Sequence, residues 1–418
     1  MLPIFFKLDG WTILEGKFMY RRMFCLMFGG AVITPTAVAQ SSAAGDILLG
    51  KFNLRPSLYS TMAYVDNVAY SNANEIDSWK LVTAPEAEIY TKLNDSLISV
   101  KYRLENGKHF SSSADDYTDH MLSGKSNIVI NDRNRVTINA AYLAGHDERG
   151  RNYSNGRGSS LNSVDTFDRI NGNAAYTYGA LSSFGQVAFS IGYEDIDYDR
   201  REELYLIRDR SIYKADVEFK YKIAPTTNFV VDVGQSEIRY AYDSNPELPL
   251  DSSESRVLAG LDWDLNATSS SFAKIGYRKK SFKSPERNDF SGVTWEVGAS
   301  WLPVTYSKFT IRTRQGVRET NTTGADFIES RDLSLDWQHF WVERFSTTMT
   351  GAYLVDEFQG MAEDLREDDT TRITMSGDYK FRRWLTLGIF FSKSVRDSNR
   401  ELIEYDRNVY GLTAKVTL

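Results

Sequence analysis

Hydrophobic and polar residues alternate one by one along most of the chain from about residue 47 onward. In residues 215–223, for example, Val217 and Phe219 alternate with Asp216 and Glu218. The same alternation recurs in three later segments, residues 294–302, 307–318 and 372–381. Because successive side chains of a β-strand point to opposite faces, the pattern predicts strands with one apolar and one charged face.

The alternating segments are longer than the strands of ordinary globular proteins. The connections between them alternate between short turns and longer polar loops. About 18 such segments are expected, and single-chain barrels of bacterial outer membranes have an even number of strands. They are expected to start near residues 47, 79, 96, 117, 134, 166, 184, 211, 227, 254, 269, 290, 306, 327, 344, 369, 384 and 405. We therefore predict an all-β fold, a single transmembrane antiparallel β-barrel of about 18 strands. No plug domain is expected, and both termini are expected on the periplasmic side.

The composition agrees with a barrel that has a polar interior. Aromatic residues make up 13% of the chain and charged residues 25%, and the mean hydropathy is −0.40. A helical membrane protein would need runs of about 20 apolar residues, and the chain after residue 39 has none. A soluble β-sandwich would leave the charges at every second strand position unexplained. The net charge of −7, without a basic stripe, argues against binding to nucleic acid.

The N-terminus reads as an export signal covering residues 1–39. Arg21 and Arg22 precede an apolar run, which is followed by a small-x-small cleavage pattern at Ala37 and Ala39. The apolar run is too short for a transmembrane helix. The protein is therefore expected in the outer membrane of a Gram-negative cell.

The export signal also sets the expected organisation of the rest of the chain. A short periplasmic segment, residues 40–46, is expected before the barrel at 47–418, and Met19 is an alternative start. Cys25, the single cysteine, falls inside the signal. The mature chain is therefore expected to contain neither a disulfide nor a thiolate metal site.

Several short motifs resemble a known family. They are Pro56, Tyr64-Val65-Asp66-Asn67-Val68, Ala84-Pro85, Tyr102, Asp119-His120 and the C-terminal strand at residues 408–418. In these motifs and in strand layout the mature chain resembles outer-membrane β-barrel porins associated with exopolysaccharide biosynthesis operons. The resemblance implies an outer-membrane exit for a secreted polysaccharide, whereas the residue pattern alone indicates only a barrel with a polar lumen.

Charged side chains on the polar faces are the candidate lumen-lining residues. They are Lys101, Arg103, Glu105, Asp216, Glu218, Lys220, Asp262, Lys274, Arg278, Glu296, Arg312, Arg314, Asp336, Arg372, Asp378 and Lys380. A lining of both signs could offer weak contacts to the hydroxyls and carboxylates of sugars. The alternative is that these charges pair across strands and only keep the interior solvated.

The loop at residues 148–165 is the longest candidate for closing the channel. It is rich in glycine and carries Arg149, Arg151 and Arg157. The loop could fold inward as a constriction or touch lipopolysaccharide phosphates, and the alternative is an ordinary mobile loop. It lacks the residue order of a phosphate-binding P-loop, so nucleotide binding is not expected.

The histidines are the residues to check for catalysis: His109, His120, His146 and His339. Catalysis would require a nucleophile or paired acids that converge on such a base, and no nucleophile motif is present. We therefore expect no enzymatic activity, no cofactor and no metal site.

Three functions remain open at this stage. The first is passive export of a polysaccharide for exopolysaccharide, capsule or biofilm matrix. The others are a diffusion porin for small sugars or ions and a structural or adhesive surface barrel. Expected partners are outer-membrane lipid and lipopolysaccharide, the polysaccharide in transit, periplasmic or inner-membrane export components and the barrel-assembly machinery.

Overall fold

A computed structural model describes most of the chain. It covers residues 46–417 except 201, 203–204, 206–207, 242–247, 265–268, 323 and 362–364. The predicted export signal at residues 1–39 and the terminal Leu418 lie outside the described residues. No helix in the part of the chain that the structure describes is long and apolar enough to span a membrane.

The described residues form β-strands joined by turns, loops and a few short 3-10 turns. In chain order the strands are β1 (Ile47–Leu49), β2 (Phe52–Val65), β3 (Ser78–Leu93), β4 (Ser96–His109), β5 (Tyr117–Asn131), β6 (Asn134–Asp147), β7 (Asp165–Tyr178), β8 (Gly185–Tyr198), β9 (Arg210–Ala224), β10 (Thr227–Tyr240), β11 (Ser252–Asp264), β12 (Ser270–Phe282), β13 (Phe290–Val304), β14 (Ser307–Glu319), β15 (Phe327–Val342), β16 (Phe345–Gln359), β17 (Glu367–Arg382), β18 (Leu385–Ser398) and β19 (Tyr405–Thr417).

Strands β2 to β19 form one closed antiparallel barrel. Each pairs with its neighbours in sequence, and β19 pairs with β2, with Leu412 opposite Met62. The sheet has 19 strands, of which β1 pairs only with β2, so 18 strands form the wall. The prediction of a closed antiparallel barrel of about 18 strands is confirmed, and no plug domain is seen among the described residues.

A strand starts at residue 47, as expected, but a tight hairpin separates it from the barrel wall. Gly50 has a φ of +66°, a left-handed conformation that glycine adopts without strain. The chain reverses there, and β1 folds back on the start of β2, with Ile47 opposite Leu54. The wall therefore starts at Phe52, whereas every later strand starts within about two residues of its expected position.

The two faces of the barrel wall differ in burial and polarity. On β9, Val217 and Phe219 are each 39% exposed, while the neighbouring Asp216 is only 8% exposed. On β19, Leu412 is 61% exposed. Because the concave side of a closed barrel crowds its side chains, the buried polar face is the inner one. The apolar outer face therefore suits contact with lipid.

The inner face is more buried near the long loops than near the short turns. Along β6, the inner positions Arg135 and Thr137 are half-buried near the short turn. Toward the long loop, Leu143 and Asp147 on the same face are buried. The long loops therefore fill their end of the barrel, while the short-turn end of the interior is more open.

Large aromatic side chains near the strand ends mostly point outward, where membrane barrels carry interfacial girdles. Trp79, Trp301, Trp341 and Trp384 are each about half exposed. Tyr240 is an exception. It points inward, and its hydroxyl donates a hydrogen bond of 2.6 Å to Glu319.

The assigned faces can be tested on two neighbouring positions of β9. Val217→Arg should impair assembly, because arginine on the lipid side of a barrel costs about 2–4 kcal/mol at mid-membrane. Glu218→Arg, on the inner face, should assemble normally. The measurement is the fraction of heat-modifiable folded protein in outer-membrane preparations. Equal folded fractions for the two variants would contradict the assigned faces.

Candidate functional site

A band of alternating charges crosses the inner face from β9 to β13. Arg256 lies 2.7 Å from Asp216 and 3.4 Å from Asp232. Lys274 then bridges Asp232 at 3.2 Å and Glu296 at 2.9 Å. Each cation in this band contacts two carboxylates, so its positive charge is balanced by nearby negative charge. We call the inner face of β9–β13 the paired wall. These contacts agree with the alternative in which the charges on the polar faces pair across strands.

A glycine makes room for this band. A Cβ atom at Gly234 would collide with an Asp216 carboxylate oxygen and would lie 3.1 Å from the Arg256 guanidinium. Any side chain at this inner position of β10 would therefore push the Asp216–Arg256 ion pair apart. The sequence pattern alone does not reveal this role, because the glycine looks like an interruption of the strand.

Other predicted lumen residues are paired locally. Lys101 lies 3.2 Å from Glu86, and Arg103 forms a 2.6 Å ion pair with Glu105. Three further pairs follow the same rule: Lys220 with Asp262, Arg278 with Glu254 and Arg314 with Asp332. Ion pairing replaces the contacts with water that these buried charges lose.

All predicted lumen-lining residues occupy inner-face positions of the strands. By strand they are Lys101, Arg103 and Glu105 on β4, Asp216, Glu218 and Lys220 on β9, Asp262 on β11, Lys274 and Arg278 on β12, Glu296 on β13, Arg312 and Arg314 on β14, Asp336 on β15, and Arg372, Asp378 and Lys380 on β17. Their contact with a solute stays a prediction.

Residues 148–165 pack inward, and Arg149 anchors them. This side chain is 3% exposed, and its guanidinium donates two hydrogen bonds to the carboxylate of Asp115, at 2.8 and 2.5 Å. It also donates to the carbonyl oxygens of Gly158 and Leu161, at 3.3 and 2.7 Å. One buried arginine therefore fixes the two ends of this loop to the β4–β5 connection.

The same loop reaches across the end of the barrel. Glu148 accepts a 2.5 Å hydrogen bond from the hydroxyl of Tyr70, in the β2–β3 loop, and lies 3.4 Å from Arg407 on β19. Asn155 accepts a hydrogen bond of 3.3 Å from Arg396 on β18. The two ends of this contact, β6 and β18, are six strands apart around a wall of 18 strands, counted through β5, β4, β3, β2 and β19. The loop thus spans a third of the circumference.

Electrostatics favour the ionised form of Glu148 at this contact. Burial alone would raise the pKa of Glu148, but Arg407, Lys80 and Arg151 outweigh it and hold that pKa below its usual range. Burial is also the largest cause that raises the pKa of Tyr70, to about 12. The tyrosine therefore keeps its proton and donates it to the carboxylate.

Glycines permit the close approach of this loop to the β2–β3 loop. Gly150 has a φ of +78°, and a Cβ atom there would collide with the carbonyl oxygen of Ala69. A Cβ atom at Gly158 would collide with the same oxygen. The glycine-rich composition therefore serves tight packing between loops rather than mobility.

The three arginines predicted for a constriction have different environments. Arg149 and Arg151 are turned into the barrel end, where Arg151 lies 5.1 Å from the centre of the Tyr70 ring. Arg157 is about half exposed and pairs with Glu202 at 3.5 Å. A constriction formed by these arginines stays a prediction, and of the three only Arg157 has an exposed side chain.

Sequence reasoning missed an aromatic cluster that holds the loops together. Tyr153, Tyr198 and Tyr205 pack with Phe167 and are all buried. The hydroxyl of Tyr198 donates to Asp147 at 2.9 Å, and that of Tyr205 donates to Asp165 at 2.9 Å. Tyr153 and Tyr205 lie in loops, so alternation along strands could not identify them. The loops are not enriched in tyrosine, so their composition gives no signal of this cluster.

Two of the four histidines lie near a carboxylate, His109 at 4.0 Å from Asp116 and His146 closer to Asp119. His146 Nδ1 lies 2.8 Å from Asp119, and its ring stacks on Tyr117 with 3.8 Å between centroids. The adjoining cavity, lined also by His109, has a volume of about 10 Å³. A cavity of that size holds about one water molecule, so no substrate-sized space adjoins this pair. In the described ranges, no group of three potential ligands is placed to hold a metal ion.

The closed antiparallel wall, apolar outside and charged inside, defines a transmembrane β-barrel. Residues 42–418 match the family described as "Putative beta-barrel porin 2", and the chain belongs to that family. It is therefore an outer-membrane barrel and a porin-like channel. No curated protein matches the sequence.

Solved outer-membrane proteins are similar in fold at low sequence identity. The FrpB iron transporter from Neisseria meningitidis is 11% identical and covers 85% of this chain, with a TM-score of 0.47. OpdK from Pseudomonas aeruginosa is 10% identical and covers 87%, with a TM-score of 0.46 and 98% of its own chain covered. OmpT of Vibrio cholerae is 11% identical and covers 90%, with a TM-score of 0.39 and 100% of its own chain covered. The present chain spans only 62% of the FrpB chain.

The anchoring role of Arg149 can be tested against Arg157 in the same loop. Arg149→Met should loosen the loop, because removing one partner leaves Asp115 buried and uncompensated, at a cost of about 3–5 kcal/mol. Arg157→Met removes an exposed pair that contributes at most about 1 kcal/mol. Proteinase K digestion of the detergent-solubilised protein should cut the loop faster in the first variant only. The same cleavage rate in both would rule out the anchor.

Proposed function

We propose that this barrel is a passive outer-membrane channel through which a secreted polysaccharide leaves the cell. The observation that carries the proposal is the inner face, where charges of both signs line the wall of a closed barrel. Such a lining offers many modest polar contacts along the path of a hydrated polymer. Conduction favours weak contacts at many sites, because a solute held tightly cannot leave.

The uneven filling of the barrel supports a channel that rests closed. The long loops bury the inner side chains at their end, and residues 148–165 cross that end through buried contacts. The short-turn end is more open, as an entry from the periplasm would be if the short turns face that compartment. Polymer arriving there would meet the loop region as the last barrier.

The identity of the solute as a polysaccharide rests on the resemblance to porins of exopolysaccharide biosynthesis operons. Under this proposal periplasmic or inner-membrane components deliver the polymer, since the outer membrane has no ATP and the sequence has no nucleotide motif. The barrel then contributes a path and a closable end, without catalysis.

A diffusion porin for small sugars or ions is the second candidate. It is favoured by one observation, the inward packing of residues 148–165 against β18 and β19. An inward loop narrows a channel, and a narrow channel admits small solutes more readily than a polymer. Release of this loop during export reconciles the same observation with the first candidate.

The export proposal is tested in a deletion strain. Loss of the protein should remove polysaccharide from the cell surface and medium and should leave polymer in the periplasm. Complementation with the intact chain should restore secretion. Normal secretion in the deletion strain would contradict export, and uptake of small sugars by liposomes containing the purified protein would then establish the diffusion porin.

The closing role of the loop is tested in planar bilayers. Removing residues 149–158 should raise single-channel conductance severalfold, because the contacts that hold the loop across the barrel end are lost. A matched control is Arg157→Gln, which changes an exposed loop charge and should leave conductance unchanged. Equal conductance of the loop deletion and the intact chain would show that these residues do not close the channel.

A further inference from the structure

The inner faces on two sides of the barrel differ in charge balance. On the paired wall, each cation of the band contacts one carboxylate on an adjacent strand and one carboxylate two strands away. On β17, β18 and β19, inner-face positions carry Arg372, Arg396 and Arg407. We call this second surface the basic wall.

The strand register brings these arginines together. Arg372 lies opposite Ser394, and Ser394 lies opposite Arg407, so one transverse row contains two arginines separated by a serine. Arg396 lies opposite Thr370 in the next row toward the long loops. Three guanidinium groups therefore share a small area of neighbouring inner positions.

Carboxylates on this side do not balance the arginines. Glu148 is shared, since it contacts both Arg407 at 3.4 Å and Arg151 at 3.6 Å. Asp368 lies 3.7 Å from Arg396 and is also held by Arg366. Each acid is thus divided between two arginines, and the basic wall keeps an excess of positive charge.

Arg372 is the unpaired member of the basic wall. It makes no hydrogen bond or ion pair within the described part of the chain, and its side chain is half-buried. Arg151 and Arg407, both of the same sign, act on it electrostatically, while Tyr405 and Tyr70 act in the opposite sense. The register partners on either side, Ala352 and Ser394, are too short to cover it. The half-buried side chain of Arg372 therefore keeps part of its surface exposed on the inner face.

We propose that the basic wall, with Arg372 at its centre, binds the carboxylate of acidic sugar units as the polymer passes. The site deepens the proposed export function and rests on it, since it names the class of polysaccharide as carboxylated. A guanidinium presents parallel N–H donors that match a carboxylate, and the adjoining arginines add charge. Because the paired wall is compensated, one side of the channel holds the acidic groups and the other stays neutral.

The test is block of channel current by a short glucuronate oligomer in planar bilayers. Arg372→Gln should raise the half-blocking concentration about tenfold, because a charge-assisted hydrogen bond becomes a neutral one. Arg372→Lys should raise it less than Arg372→Gln does, since the charge remains but the parallel N–H donors are lost. Arg157→Gln, the exposed control, should not change the block. A neutral oligomer of equal length should act alike on all four proteins.

A second variant keeps the test independent of how Arg372→Gln folds. Ala352→Glu places a carboxylate directly opposite Arg372 on the inner face and should weaken the glucuronate block to a similar degree. Heat-modifiable mobility on gels verifies that each variant is folded. Arg372→Gln should fold at least as stably as the parent, because it removes a charge that its neighbours repel.

Each part of the proposal would be contradicted by a different result. An unchanged half-blocking concentration in Arg372→Gln and Ala352→Glu would overturn the anion site. Inorganic phosphate blocking the parent as strongly as the oligomer would overturn the assignment to a sugar carboxylate. Neither result affects the deletion-strain experiment. If the deletion strain loses secretion while the variants leave the glucuronate block unchanged, the export proposal holds and only the anion site on the basic wall is refuted.

Discussion

Closure of the sheet is the constraint on which the rest of this structure depends. In a lipid environment every backbone N–H and C=O group must find a partner within the protein, and an open sheet leaves two edges unpaired. Pairing of β19 with β2 removes both edges. Once the sheet is closed, strict alternation assigns each strand residue to lipid or to the interior. The apolar outer face and the charged inner face follow from that single condition.

The closed wall then determines how the interior charges are arranged. An unpaired charge out of water is costly, so cross-strand neighbours of opposite sign recur on the inner face. The band from Asp216 to Glu296 is the longest example described here. Its geometry depends on a missing side chain at Gly234. The basic wall departs from this rule, and its unbalanced positive charge would attract an anionic solute.

The loops solve a different problem, which is how to seal one end of a wide barrel. They do so with buried polar contacts rather than with a separate domain among the described residues. Arg149 holds its own loop together, Glu148 and Asn155 tie that loop to distant strands, and the tyrosine cluster packs the loops against each other. These contacts are separate from the backbone hydrogen bonds that close the wall.

The sequence by itself determined the wall of this protein, because period-two alternation is a local property that each strand displays independently. It predicted the barrel, the strand number and the inner-face position of residues such as Lys274 and Arg372. Tertiary structure alone decided which charges meet, since partners such as Asp232 and Lys274 lie on non-adjacent strands. It also decided that Glu148 meets Arg407, although they are far apart in the chain. Loop contacts depend on the closed ring of strands that brings the loops together, and no local pattern records that proximity.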